Sequence, residues 1–329
     1  MMNPSKKLLP ILLFIGICWV SSLVLAQTDD KYPTKPIKLI IPFPPGGALD
    51  AAARALADPL NERLKQSIIL DNRTGAGSRL GAEMVANANG DGYTLLIATP
   101  ASTTMAPLLV NNLNYSPDKD LLPVMRLSEI VNIMVVPSNR GINSVADFLT
   151  WAKKYKGPIK YGSSGVGSAD HLIAEFFKQT TNLDLVHVPY KGGGPAMIDL
   201  ASGDIDVSFT TYAAASAVLA TGKIKALAVL TANKQPFLPQ LPTISETIPG
   251  LSISNWAGLF VPKNTPLAIR EKLFKELSEV SKSADVRTKQ NRAGLEISVS
   301  NSIEEFENDL KEEKAKWTKI IKQANITAN

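Results

Sequence analysis

The chain has 329 residues, 45% hydrophobic and 20% charged, with a formal net charge of +5 at pH 7, two histidines and one cysteine. Lys and Arg are scattered and aromatic residues make up only 6%, which argues against a nucleic-acid partner, where basic clusters interleave with stacking rings. A single cysteine excludes a disulfide framework, and His171 and His187, without cysteine or acidic neighbours at ligand spacing, make no zinc site; neither metal nor cofactor is expected.

In chain order, Lys6 and Lys7 precede an uncharged apolar run from Leu8 and the small-residue site Val24-Leu25-Ala26. That order of charge, apolar run and small residues predicts a signal peptide over residues 1–26. An uncleaved anchor is the alternative, because the run is long enough to span a bilayer. Lipidation at Cys18 is disfavoured by the Ile15-Gly16-Ile17 that precedes it. Cleavage would remove the cysteine and two positive charges and leave roughly 300 residues, enough for two domains.

Three short apolar segments open the remainder, IKLIIP, SIILDN and YTLLIAT, separated by helical stretches over 50–64 and 80–88. Strands alternating with helices predict a parallel sheet with crossovers. The same grammar returns with IKYGS, the helix ADHLIAEFFKQT, the strand LDLVHVPY, then KGGG, the helix PAMIDLASG and the strand DIDVSFTT. Residues 37–99 and 159–211 therefore read as two copies of one α/β plan. The segments EIVNIMVVPS (129–138) and SISNWAGLFVP (252–262) each end in Val-Pro and read as two strands crossing between lobes, natural hinges for closure. From about Ser302, apolar residues Ile303, Phe306, Leu310, Trp317, Ile320, Ile321 and Ala324 fall three and four apart, a helix expected to pack back on the first lobe.

At each main joint a strand feeds a glycine-containing loop into a helix N-terminus, PFPPGGALD at 42–50 and YGSSGVGSADH at 161–171. Helix N-termini carry unpaired N–H groups and partial positive charge, so they attract carboxylate or phosphate. Gly46 and Gly47 serve the first joint; Gly162, Gly165 and Gly167 with Ser163, Ser164 and Ser168 serve the second. Asp50 has two readings, a helix-start residue accepting backbone N–H bonds or a partner for a ligand amine or hydroxyl. GAGSRLG at 75–81 lacks the dinucleotide spacing and leaves Arg79 as a cleft charge. Ser168, Asp170 and His171 lie close together, yet GSSGV lacks the second glycine of a nucleophile elbow, so no hydrolase is read from them. Trp256 reads as packing at the hinge.

With PFPPGGALD, GDGYTLLIAT, YGSSGVGSADH, HVPYKGGGPAMIDLASGDIDVSFT, KIKALAVLT, LPTISE and NWAGLFVP all in order, the chain resembles the Bug receptors, periplasmic solute-binding subunits of tripartite tricarboxylate transporters. The resemblance implies an α/β fold of two Rossmann-like lobes joined by a hinge of two crossing strands, the periplasmic-binding-protein or Venus-flytrap architecture. The lobes would comprise 27–128 with 254–329, and 129–253. It further implies a monomeric periplasmic receptor without enzymatic activity. It would grip a small organic acid and deliver it to membrane permease subunits. Docking on a membrane sensor kinase and an enzyme on the same fold are the competing classes. By matching motif, Phe43, Gly46, Gly47, Ala48 and Asp50 would line one side of the site, and Ser163, Ser164, Gly167 and Ser168 the other. Thr99, Ser102 and Thr210 follow as further ligand contacts. The chain departs from the family pattern at Ala48 and Leu49, where Thr or Gly is common, and at Thr74, where proline is usual.

Overall fold

The structure is a computed structural model that describes residues 32–324; the expected signal peptide and its cleavage site lie outside the described residues. β1 (Ile37–Ile41), α1 (Ala48–Leu64), β2 (Ile68–Asn72), α2 (Arg79–Ala86) and β3 (Thr94–Ala98) follow one another, with β1 between β2 and β3 and parallel to both. The chain then passes two single-turn helices, α3 (Ala106–Leu109) and α4 (Pro117–Asp120), and enters the long strand β4 (Leu121–Ile130).

At Val131 it leaves this sheet for a second one. There β5 (Asn132–Pro137), α5 (Val145–Lys154), β6 (Ile159–Ser163), α6 (Ala169–Thr181), β7 (Leu185–Pro189), α7 (Gly193–Ser202), β8 (Val207–Thr211), α8 (Tyr212–Leu219) and β9 (Ile224–Val229) form the second lobe. The chain returns through β10 (Trp256–Pro262), α9 (Leu267–Ser281), α10 (Ala284–Arg292), β11 (Leu295–Ile297) and α11 (Ile303–Ala324).

The sheets run β11-β4-β10-β3-β1-β2 and β7-β6-β8-β5-β9. Each has two parallel pairs built by helical crossovers, β1 with β2 and β3, β6 with β7 and β8. Each also has an internal strand antiparallel to both of its neighbours, β10 between β3 and β4 in the first and β5 between β8 and β9 in the second. That strand is the one the chain brings in from the other lobe, so it needs no crossover helix. In both sheets the first crossover runs to one side and the second to the other, which opens a crevice at the carboxyl ends of β1 and β3, and of β6 and β8. Alternation along β5 serves two cores. Ile133 and Val135 join Met197 and Leu200 on one face, while Met134 and Val136 join Phe148 and Phe177 on the other.

The crossing differs from the expected one in detail. Residues 129–138 are not one strand, because Val131 donates its N–H to Gly294 (3.1 Å) and accepts from Tyr212 (2.8 Å), separating β4 from β5. The two crossings bond to each other: Ile130 N–H donates to the Asn255 carbonyl at 2.7 Å, and Asn255 Nδ2 donates to Asn132 Oδ1 at 2.8 Å.

The C-terminal helix does not pack on the first lobe alone. Phe306 packs with Trp256 and Phe260 in the first lobe, where Gly258 leaves the room its ring needs. Trp317, Ile320 and Ile321 instead join the second lobe's core with Phe148 and Phe177. A helix of 22 residues is about 33 Å long, enough to span both bodies.

Candidate functional site

A cavity of about 630 Å³ lies where the two crevices meet, within the range of small-molecule sites. Its apolar lining includes Phe43, Leu49, Leu109, Val110 and Ile130; among the described residues, Arg79 is the one cation and Asp170 the one anion on its lining.

The first joint explains its own composition. Pro45 and Gly46 occupy the centre of a turn in which Gly47 N–H reaches the Pro44 carbonyl, and Gly46 takes φ +84° there, a conformation that suits glycine. The turn delivers the chain to α1, whose N-cap Gly47 supplies no side chain. The opening N–H groups, Ala48 and Leu49 among them, thus lie at the cavity with no side-chain cap, together with the helix's partial positive charge.

Asp50 does not line the cavity. It is 2% exposed and accepts from Gly46 N–H (2.9 Å), Arg54 Nε (2.7 Å) and Asn72 Nδ2 (3.1 Å). Burial works against its charge, yet Arg54, the Gly46 N–H and Asn72 together hold its carboxyl below the usual range. Its bond to Gly46 reaches back across the N-cap and stiffens the turn, so it shapes the joint from behind.

The second joint is wired differently. Ser163 closes β6 and is fully buried; its Oγ lies 2.6 Å from His187 Nε2 and does not reach the cavity. Ser164, next in the chain, does line it. The loop's N–H groups are mostly spent internally: Gly165 donates to Ser163 Oγ, Ser168 to the Gly165 carbonyl and Gly167 to His171 Nδ1 at 3.1 Å. Ser168 caps α6 by accepting from His171 N–H at 3.3 Å. Gly162 serves packing, since a Cβ there would stand 2.4 Å from Ile205 Cδ1.

Asp170 faces the cavity at the second residue of α6. It is 5% exposed; Ser164 N–H stands at 3.3 Å and Asn132 Nδ2 at 3.5 Å, and the Ser164 hydroxyl and the Asp170 N–H also favour its charge. Burial raises its carboxyl to about 6 against the Ser164 and Asn132 contacts. His171 and His187 stack at 4.1 Å. Burial lowers both, His187 to about 4, where the neighbouring His171 adds to the effect.

Beyond the joints, Thr99 follows β3 and Thr210 lies at the end of β8, matching places in the two lobes. Both are buried at the cavity wall, and neither hydroxyl has a partner among the described residues. A buried hydroxyl without a partner costs free energy unless a ligand supplies one. Ser102, by contrast, is buried off the cavity, with its Oγ toward the Thr99 carbonyl at 3.4 Å.

Of the expected residues, Phe43, Gly47, Ala48, Thr99, Ser164, Gly167, Ser168 and Thr210 line the cavity; Gly46, Asp50, Ser102 and Ser163 stand behind it. Residues not singled out as contacts also reach it, notably Gly193 at the opening of α7, Asn255 from the crossing, and Asp170. The N-cap of α7 is Gly192, which supplies no side chain, so this terminus also presents free N–H groups. The triple glycine before Pro195 was the signal for it. Arg79 reaches the lining after a run of positive φ at Ala76, Gly77 and Ser78. Two of those are not glycine, a local strain of the kind that accompanies binding sites.

The sequence profile described as tripartite tricarboxylate transporter family receptor matches residues 52–326. Protein BugT of Bordetella pertussis is 31% identical over 287 residues, 87% of each chain. The solved structure of R. palustris Rpa4515 with adipate superposes with a TM-score of 0.80 at 33% identity, covering 90% of this chain and 99% of that one. MatC from Rhodopseudomonas palustris with bound malate gives 0.76 at 28% identity, covering 88% and 100%.

Proposed function

The chain belongs to the tripartite tricarboxylate transporter receptor family, and from that premise we propose that this solute-binding receptor closes on a small organic carboxylate. It works in the periplasm as a monomer and hands its ligand to membrane permease subunits, without chemistry on the ligand. The observation that carries the carboxylate reading is the cavity itself. The uncapped start of α1 and the unpartnered hydroxyls of Thr99 and Thr210 reach it from opposite lobes. Two similar proteins were solved with carboxylates bound, adipate in one and malate in the other.

Two lobes sharing one guest favour closure, because only contacts better made in the closed form shift the population. The crossings at 130–132 and 253–256 are the places to absorb that motion. The lobe division at 128/129 and 253/254 is supported, within about two residues, by which strands join which sheet. Catalysis is not part of this reading. Among the described residues the one contact between serine and histidine side chains, Ser163 with His187, is sealed behind the cavity wall, and Ser168 and His171 are engaged with the loop backbone.

The test is titration calorimetry of the purified receptor against a panel of di-, tri- and monocarboxylates, with Gly47→Leu as the control. Gly47 has φ −77°, open to any residue, so the leucine would obstruct the α1 terminus without straining the backbone. Binding of an acid that Gly47→Leu abolishes supports the reading; affinity unchanged in that variant removes the site.

A further inference from the structure

The cavity is not electrically uniform, and the two joints at 42–50 and 161–171 contribute opposite characters, although the start of α7 and the Thr210 hydroxyl add donors from the second lobe. From the first lobe come the free N–H groups of α1, the Thr99 hydroxyl and Arg79, which among the described residues has no ion-pair partner. All of these favour a carboxylate. From the second joint comes Asp170, a carboxylate on the wall. Its contacts with the Ser164 N–H and Asn132 Nδ2, at 3.3 and 3.5 Å, are at the outer limit of the useful range; the Ser164 hydroxyl and the Asp170 N–H also favour its charge, yet it lines the cavity, where an ionised carboxylate can accept from a guest as well. Asp50 in the other joint makes the contrast plain, for its oxygens are filled at 2.7–3.2 Å and it is turned away.

We infer that Asp170 makes this receptor selective for organic acids that carry a hydrogen-bond donor, an ammonium or hydroxyl group, at the end or side of the carbon chain that faces α6. The inference rests on the carboxylate-receptor reading above and adds the ligand's second polar group and its orientation. The acid's carboxylate lies toward α1, Thr99 and Arg79. Its donor lies toward Asp170, with Asn255 beside it on the lining. A diacid without a donor would set its second carboxylate against that of Asp170, and like charges in a partly desolvated site repel. Asp170 is thus a specificity-determining residue; the Asn132 amide that reaches it, and Asn255 behind that amide, position it from the crossing.

Matched acids test this. Succinate, malate and aspartate share one four-carbon skeleton and differ in carrying no donor, a hydroxyl or an ammonium; adipate, 2-hydroxyadipate and 2-aminoadipate repeat the series at six carbons. Calorimetry at pH 7.5 is expected to give at least a tenfold preference for a donor-bearing member over its donor-free parent in one series or both, with the hydroxyl and ammonium arms identifying which donor it is. In Asp170→Asn, which keeps shape and a hydrogen-bonding oxygen, the ammonium preference should fall about tenfold while the donor-free parent binds more tightly. That reversal is one a purely structural role would not produce. Donor-free acids binding wild type as tightly as their donor-bearing partners would overturn the inference and leave the carboxylate-receptor reading standing. Absence of binding across both series would overturn both.

Discussion

The joint at 42–50 and the joint at 161–171 are built to one plan, strand, glycine loop and helix, and each places an aspartate in the first turn of its helix. In the first, Asp50 is the third helical residue; in the second, Asp170 is the second. One residue of offset turns a side chain by about 100° around the axis. Asp50 is carried behind the loop, where Arg54, Gly46 and Asn72 fill its oxygens. Asp170 is carried to the cavity, where the Ser164 N–H and Asn132 reach its oxygens only at 3.3 and 3.5 Å and no cation pairs with it among the described residues. The caps invert in the same sense. The first helix starts on a bare glycine, whereas the second starts on Ser168, whose hydroxyl takes the His171 N–H. Equal architecture therefore yields one joint that donates and one that accepts, and a guest held between them needs two unlike ends.

The largest expected effect falls on the donating joint. Gly47→Leu should weaken binding of the cognate acid about 100-fold or more, since it removes access to at least two charge-assisted hydrogen bonds; calorimetry reads this directly, and a change under threefold would break the assignment of that joint. Next come the two hydroxyls. Thr99→Val and Thr210→Val are each expected to cost about tenfold in affinity, and each should leave the unliganded protein no less stable, because the lost hydroxyls had no partner. A loss confined to Thr210→Val would put the carboxylate on the second lobe instead.

The accepting joint is sharpened by pH. Above about 6 Asp170 is ionised and attracts a donor, so affinity for a donor-bearing acid should fall several-fold between pH 7.5 and 5, while that for a donor-free diacid should rise. Burial holds both His171 and His187 below the usual imidazole range, His187 at about 4, so His187 stays neutral across that window. Arg79 is the cation that shares the cavity lining with Asp170. Glu313, which burial raises to about 7, titrates within it but sits against Trp256 and Thr104 on α11. Asp170→Asn should flatten the profile if Asp170 is its source; a profile unchanged in that variant assigns it to Glu313.

The smallest effect is on stability. Because the folded protein raises the Asp170 carboxyl above its unfolded value, the folded form holds the proton more tightly. The ionised group therefore costs stability above about pH 6, and that cost fades toward pH 4. Asp170→Asn should stabilise the unliganded receptor at pH 7.5 by about 1–3 kcal/mol, a gain that shrinks on acidification. Chemical denaturation at the two pH values checks the sign, and destabilisation at pH 7.5 would mean that Asp170 is held better than its distances imply.

Much of this was legible in the sequence, and the misses have physical causes. Period and punctuation found both copies of the strand and helix grammar and both joints, because buried parallel strands and glycine loops are local features. Which wall a residue faces was not local. Ser163 and Ser164 are neighbours, yet the pleat sends one to His187 and the other to the cavity. Asn255 and Gly193 come from segments far apart in the chain, and only the sheet order brings them to the cavity. The final helix carried a clear apolar stripe, but a stripe does not name its partner, and this one divides between two cores.

A crystal structure of the receptor with a bound donor-bearing acid tests the central asymmetry most directly. The ligand carboxylate is expected within hydrogen-bonding distance of the Ala48 or Leu49 N–H and Thr99 Oγ1, with the ammonium or hydroxyl within about 3.2 Å of Asp170. A carboxylate seated against Asp170, with the start of α1 in contact only with solvent, would contradict it.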